Sequence, residues 1–318
     1  MERLPTVIAS SIVRSSHKGE SHGGAYIIDL ETGAFEQVID YNDSSIDWEG
    51  RGGNRGFRGI ALHEDQVYLA ASNEIFVYSK DFRFLRSIRN GYLGNCHEIH
   101  IAGDVLYMTS TGFDSILEYD LRTRSYARGY HLKFGALGRG RKKVGLSPLP
   151  RLRFFDPNSD EGPGRSQTCH LNNVFCGDGV VFVSGTRCAH LLAITGPQLS
   201  SHARIPYGTH NARPYGEGVL MNDTSHDRVC YLESGREKFS IPILRYDERK
   251  LLNTHLPQTN ARQAFGRGLC VLGEGLIAGG SSPATISVYD LNTSNAIKTM
   301  NLTMDVRKAI HGLEVWPF

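Results

Sequence analysis

The chain contains no Cys-x-x-Cys pair. Its six cysteines, Cys96, Cys169, Cys176, Cys188, Cys230 and Cys270, stand singly, which excludes a zinc ribbon and leaves them to be read as reduced thiols. No apolar run approaches the roughly 18–20 residues of a membrane helix. The opening stretch, MERLPTVIASSIVRSSHKG, has no apolar segment of signal length followed by a cleavage site. A cytoplasmic chain without a membrane partner is therefore expected. An excess of one charge is also missing: 35 Lys and Arg against 33 Asp and Glu leave +2, too little to argue for nucleic acid. Proline is sparse at 12, whereas glycine reaches 35 of 318 residues without a collagen-like period. With 40% hydrophobic residues the chain can bury a large core. Its β-branched and aromatic runs, separated by glycine-containing turns, indicate an all-β fold.

What the sequence has is a repeat. RGIALHEDQVYLAAS begins at Arg58, HEIHIAGDVLYMTST at His97, HLNNVFCGDGVVFVSGT at His170, HNARPYGEGVLMNDT at His210 and RGLCVLGEGLIAGGS at Arg267. Each reads as His or Arg, a short apolar strand, a turn with an acidic residue, and a second strand. A third strand follows (EIFVYSK, SILEYDL, HLLAITG, RVCYLES, TISVYDL), then a weaker fourth. Four short antiparallel strands in about 40 residues describe a β-propeller blade. Five units are complete. The C-terminal HGLEVWPF, from His311, supplies a first strand, and the N-terminal TVIASSIVRS, GAYIIDLE and AFEQVIDY supply the other three. The expectation is one propeller domain over residues 1–318, six-bladed, with a composite blade that closes the ring and removes exposed sheet edges.

Residues 133–167 interrupt the period. The segment carries Lys133, Arg139, Arg141, Lys142, Lys143, Arg151, Arg153 and Arg165 among glycines and prolines. It reads as an inter-blade loop or a lid. A second insertion spans about 244–264. Asp65, Asp104, Asp178, Glu217 and Glu274 recur in the tight turns between first and second strands and are read as turn residues, with Trp48 and Trp316 as packing.

The first strand of every blade lines the central channel, so the residues that open it share one funnel. Here they are Arg58, His97, His170, His210, Arg267 and His311, although histidine is only 13 of 318 residues. Three chemistries would use this set. Neutral imidazoles of His97, His170, His210 and His311 suit a transition metal such as Fe, Zn, Mn or Cu. Alternatively, histidine acts directly, as in a transferase, on an anionic substrate held by arginine. Or the funnel binds an anion or acidic peptide without chemistry. Calcium is disfavoured, because no opener is a carboxylate. Beside the openers lie Glu98, Asn172, Asn173, Asn211 and Arg213, and at the ends of second strands Ser110, Thr111, Ser184, Thr186, Asn222 and Asp223.

The stretches CHLNNVFCGDGVVFVSGT, THNARPYGEGVLMND and FGRGLCVLGEGLIAGGS resemble a poorly characterised bacterial six-bladed propeller family, over roughly residues 90 to 318. Its blades open with His-Leu-Asn, a His-Ser/Asn-x-Arg-like stretch and Arg-Gly-Leu. The resemblance implies that His170, Asn172, His210, Arg213 and Arg267 are shared positions. The axial inventory is similar to that of carotenoid-cleaving and pectate-degrading propellers, which hold a metal through histidine, and of propeller aryl sulfotransferases. The leading expectation is an enzyme acting on a small anionic or polar substrate with a histidine-bound metal, by lyase, hydrolase or oxygenase chemistry. His97, Glu98, Arg58 and Arg267 would be catalytic, and Asn172, Arg213 and Asn222 would bind substrate. No nucleotide cofactor is expected.

Overall fold

The structure is a computed structural model that describes residues 3–17, 19–42, 56–134, 149–273 and 275–318. Among the described residues, twenty-five strands form six antiparallel sheets. β1 (Thr6–Val13), β2 (Gly23–Asp29) and β3 (Phe35–Asp40) join β25 (Lys308–Val315) in the composite blade, in the order β25-β1-β2-β3. The second blade runs outward as β4 (Ile60–His63), β5 (Gln66–Ala71), β6 (Glu74–Ser79) and β7 (Phe84–Arg89). The third is β8 (Ile99–Ala102), β9 (Val105–Ser110), β10 (Ser115–Asp120), β11 (Ser125–Lys133) and β12 (Arg151–Phe155). The fourth is β13 (Leu171–Gly177), β14 (Val180–Gly185), β15 (His190–Thr195) and β16 (Gln198–Arg204). The fifth is β17 (Thr209–Tyr215), β18 (Gly218–Asp223), β19 (Arg228–Glu233) and β20 (Arg236–Pro242). The sixth is β21 (Arg267–Gly273), β22 (Leu276–Ser281), β23 (Thr285–Asp290) and β24 (Asn295–Asn301). This is the six-bladed propeller with a composite blade that the repeat implied. Among the described residues no helix is long and apolar enough to cross a membrane.

Burial explains the sequence pattern. Each blade is sandwiched between two neighbours, so its middle strands are covered on both faces and read as continuous apolar runs rather than alternations. In β23, Thr285 through Tyr289 are all buried, and in β10 so are Ser115 through Tyr119. The rim strands face solvent, and β3 and β7 are largely exposed. Each gap between blades is filled by one apolar cluster. Tyr68, Ile75 and Val77 of the second blade meet Met108 and Leu117 of the third. Val7, Ala9, Tyr26 and Ile28 of the composite blade meet Ala278, Ile286 and Val288 of the sixth, with Ile310 and Leu313 of β25 between them.

The third blade departs from expectation. The segment read as a loop contributes β12, a fifth strand paired to β11 from Gly129↔Phe155 to Lys133↔Arg151. Arg151-Leu152-Arg153-Phe154 does alternate, but over too few residues to stand out beside the prolines. Leu152 and Phe154 pack against the cluster between the third and fourth blades. The basic part, with Arg139, Arg141, Lys142 and Lys143, lies outside the described residues, as do Trp48 and Glu274. Trp316 is a packing residue, stacked on Phe82 at 5.3 Å. The second insertion holds one short 3-10 turn, Glu248–Lys250.

Closure depends on β25, which pairs with β1 from Val7↔Val315 to Val13↔Lys308. Deleting residues 308–318 would expose the edge of β1 and uncover the cluster containing Ile310 and Leu313. The truncated chain should lose its cooperative unfolding transition in differential scanning calorimetry. The milder Leu313→Ala should keep the transition and cost about 2–5 kcal/mol. A truncation that melts as sharply and as high as the full chain would refute ring closure by β25.

Candidate functional site

The six openers do not sit in regular β geometry. Opposite β14, β18 and β22 the pairing skips Asn172, a residue between His210 and Arg213, and Gly268, and opposite β1 it skips His311. Four of the six innermost strands therefore carry a bulge at or just after the opener, which re-aims the side chains there. His170 and Asn211 take left-handed backbone, φ +51° each. A buried carboxylate holds the first of these in place. Asp114, fully buried, accepts from the backbone N–H groups of Thr168, Cys169 and His170 and from the hydroxyls of Ser166 and Thr168. It bolts residues 166–170 of the fourth blade onto the third.

The openers make the mouth of the channel. The His97 ring lies 5.8 Å, centroid to centroid, from both His170 and His311. Arg58, Arg267 and His311 are buried beside them. Arg58 donates to the carbonyl of Cys96 at 2.9 Å. The Nδ1 of His97 lies 2.7 Å from the carbonyl of Asn95 and 2.9 Å from Thr111 Oγ1. A carbonyl only accepts, so Nδ1 carries the hydrogen and Nε2 offers its lone pair. His210 is held the same way, by Gly208 O at 3.1 Å and Thr224 Oγ1 at 3.0 Å. Its ring packs edge-on against Phe265 at 6.1 Å instead of joining the other three.

Two residues that the repeat did not flag complete the mouth. Arg14, at the end of β1, is buried. Phe265 is flanked by three guanidiniums, with Arg267 4.4 Å, Arg262 4.7 Å and Arg14 4.9 Å from its centroid. The aromatic face is a partial substitute for an anion. It does not satisfy Arg267, which is 9% exposed and whose Nε and Nη1 are buried without a hydrogen-bond partner among the described residues.

The electrostatics follow from this crowding. Burial, then the charges of Arg14 and Arg58, opposes the charged form of Arg267. Burial and Arg262 lower Arg14 to about 10. Burial, followed by Arg58 and its neighbours, holds His97 well below 6.5, and burial with Arg267 does the same to His311. Both imidazoles are neutral at neutral pH. A guanidinium keeps its proton, so Arg267 stays charged beside Arg14 and Arg58.

One turn deeper the chemistry changes. Three residues beyond each histidine opener stand His100, Asn173, Arg213 and Glu314, and these line a cavity of about 20 Å³ together with Glu98 and Asn211. That is room for about one water. Glu98 Oε2 accepts from Asn211 Nδ2 at 2.8 Å, and Asn211 Oδ1 accepts from Gly268 N and Asn222 Nδ2, each at 3.1 Å. Glycine is required beside this carboxylate: a Cβ on Gly59 would lie 2.5 Å from Glu98 Oε1 and 2.6 Å from Ile99 N. Burial, then Glu314, pushes Glu98 up to about 8, against the pull of Arg213, and burial pushes Glu314 up to about 7. Burial and Arg213 take His100 down to about 4.

The expected residues thus divide. Arg58, His97, His170, His311 and Arg267 meet at the mouth, and Glu98 and Arg213 belong to the deeper layer. Asn172 and Asn222 spend their amide hydrogens on inter-blade bonds, to Thr209 O at 3.1 Å and to Gly268 O at 3.2 Å. The four-histidine metal set is not formed as expected. His210 stands with Phe265, the other rings are spaced by 5.8 Å, and among the described residues no group of three or more His, Cys, Asp or Glu is arranged to hold a metal ion. Of the residues missed, Glu314 and His100 share one register with Arg213 and were legible as such. Arg14 and Phe265 fall outside the repeat's register.

No family model matches the chain, and no curated protein matches it. Among solved structures it is similar to a protein of unknown function from Bacteroides caccae, at 13% identity and a TM-score of 0.58 over 98% of each chain. It is likewise similar to a chain of the nidogen/laminin complex, at 12% identity and a TM-score of 0.57 over 97% of each chain. What is shared at this distance is the propeller fold.

The deeper layer makes a signed pH prediction. Glu98 and Glu314 keep protons in the folded chain at pH values where the unfolded chain, near 4.5, has lost them. Their contribution is full below about 4.5 and is lost as pH rises through the folded values. The lowered His97 and His311 act oppositely, removing stability only as pH falls below 6.5. From about pH 6.5 to 8.5, urea denaturation should therefore show stability falling with pH. Glu98→Gln, which preserves the bond from Asn211, should flatten that slope and be more stable than wild type at the alkaline end by on the order of a kcal/mol or more. Parallel curves for the two proteins would show that Glu98 is ionised throughout.

Proposed function

We propose that the channel mouth binds the oxyanion group of a small substrate (a carboxylate, phosphate or sulfate) on Arg14, Arg58 and Arg267, with His97 as the base or nucleophile. The observation that carries this reading is the buried cluster of guanidiniums around neutral imidazoles, with Arg267 still holding donors that no atom of the described residues accepts. Guanidinium pairs with oxyanions through two parallel hydrogen bonds. An anion there turns a like-charge repulsion into an attraction. His97 suits the second role because the Asn95 carbonyl fixes its tautomer and its low proton affinity keeps the Nε2 lone pair free at neutral pH. Glu98, protonated at neutral pH, is a proton donor one layer below. The reaction supported is acid–base or group-transfer chemistry on an anionic small molecule.

A transition metal on His97, His170, His210 and His311 is the weaker reading. The same buried positive charge that attracts an anion repels a cation, and His210 would have to leave Phe265 to join the other rings.

Thermal unfolding tests the proposal. Inorganic phosphate, sulfate or acetate, compared with chloride at equal ionic strength, should raise the melting temperature. An anion at 100 times its Kd adds about 2.7 kcal/mol. Arg267→Met should melt higher than wild type without the anion, because a buried repulsive charge is gone. It should lose the anion-dependent rise, equivalent to about 2–5 kcal/mol of binding. A wild-type chain indifferent to all three anions, or an Arg267→Met chain that still responds, would overturn the assignment. About one transition metal per chain in untagged protein would favour the metal reading instead.

A further inference from the structure

A second cleft, of about 640 Å³, opens beside the mouth between the fifth blade and the 244–264 insertion. Its volume is in the range of small-molecule sites. Two of its lining residues, Thr224 and Arg262, also contact residues beside the mouth. Thr224 lines the cleft and holds Nδ1 of the axial His210 at 3.0 Å. Arg262 lines it too, donates to Thr224 O at 2.8 Å, and lies over the same Phe265 ring as Arg267, at 4.7 and 4.4 Å from its centroid.

The lining says what kind of group would lie there. Its charges are balanced: Arg245 and Arg262 both pair with Asp227, and Glu248 is the other acid. Net charge is therefore not what the cleft selects. Its remaining polar surface is hydroxyl and amide, from Thr224, Ser225, Thr254, Gln258 and Gln263. Such groups both donate and accept, which matches hydroxyls rather than apolar or singly charged moieties. We infer that this cleft is the second half of the axial site, taking the uncharged, hydroxyl-rich remainder of a substrate whose oxyanion sits on Arg14, Arg58 and Arg267. The substrate class is then a hexose-sized polyhydroxyl compound bearing one carboxylate, phosphate or sulfate. This rests on the anion-binding reading of the mouth and adds to it.

The test pairs each simple anion with a hexose carrying the same group: acetate with glucuronate, inorganic phosphate with glucose 6-phosphate, inorganic sulfate with glucose 6-sulfate. Binding is measured by isothermal titration calorimetry on the full chain. In at least one pair the sugar should bind tenfold or more tightly than its simple anion. Gln258→Ala should reduce that advantage severalfold, and Thr254→Trp, which fills the cleft from an exposed position, should abolish it. Neither change should alter affinity for the simple anion. If simple anions bind and no sugar binds more tightly, the cleft inference fails and the mouth assignment stands. If an advantage survives Thr254→Trp undiminished, the sugar lies elsewhere and the inference also fails. If no anion binds, the mouth assignment fails and takes the cleft with it.

Discussion

The pairing of β25 with β1 is the constraint on which the rest depends. It removes two sheet edges and covers the apolar cluster between the first and sixth blades. It also brings residues from the end of the chain into the channel. His311 stands in that strand as the extra residue of a bulge, and Glu314 three residues on. Without closure the mouth would lack one of its three contacting imidazoles, and the deeper layer would lack Glu314, which adds to the effect of burial on Glu98. Stability and site are thus built by one strand pairing.

The site is expensive to fold. Three buried arginines stand close together, and beneath them burial pushes two carboxyls up, Glu98 to about 8 and Glu314 to about 7. A core selected for stability alone would fill these positions with aliphatic side chains, because burying charged groups costs desolvation that their contacts repay only in part. The propeller tolerates the arrangement because its stability comes from the six apolar gaps between blades, away from the axis. The channel can therefore carry buried charged groups without loss of the fold.

Within the site, the backbone does as much as the side chains. Bulges in β13, β17, β21 and β25 turn the openers toward the axis, Asp114 fixes the segment that carries His170, and Asn211 with Asn222 ties the fifth blade to the sixth beneath Glu98. Asn172 and Asn222, expected to face substrate, belong to this framework.

The repeat was legible because each blade buries its middle strands on both faces and needs a tight turn after its first, and those demands recur in the residues themselves. Blade number, composite closure and the six openers followed from register alone. The deeper ring of His100, Asn173, Arg213 and Glu314 lies three residues further along the same register. The tertiary structure alone decided which openers meet. His210 is in register with His97, His170 and His311, yet it packs on Phe265, a residue from the end of an insertion that no repeat describes. Arg14 likewise enters from outside the register and makes the mouth a cluster of three guanidiniums. Register specifies a position along a strand; the direction in which a side chain finally points depends on a bulge of one residue and on which neighbouring loop fills the space beside it.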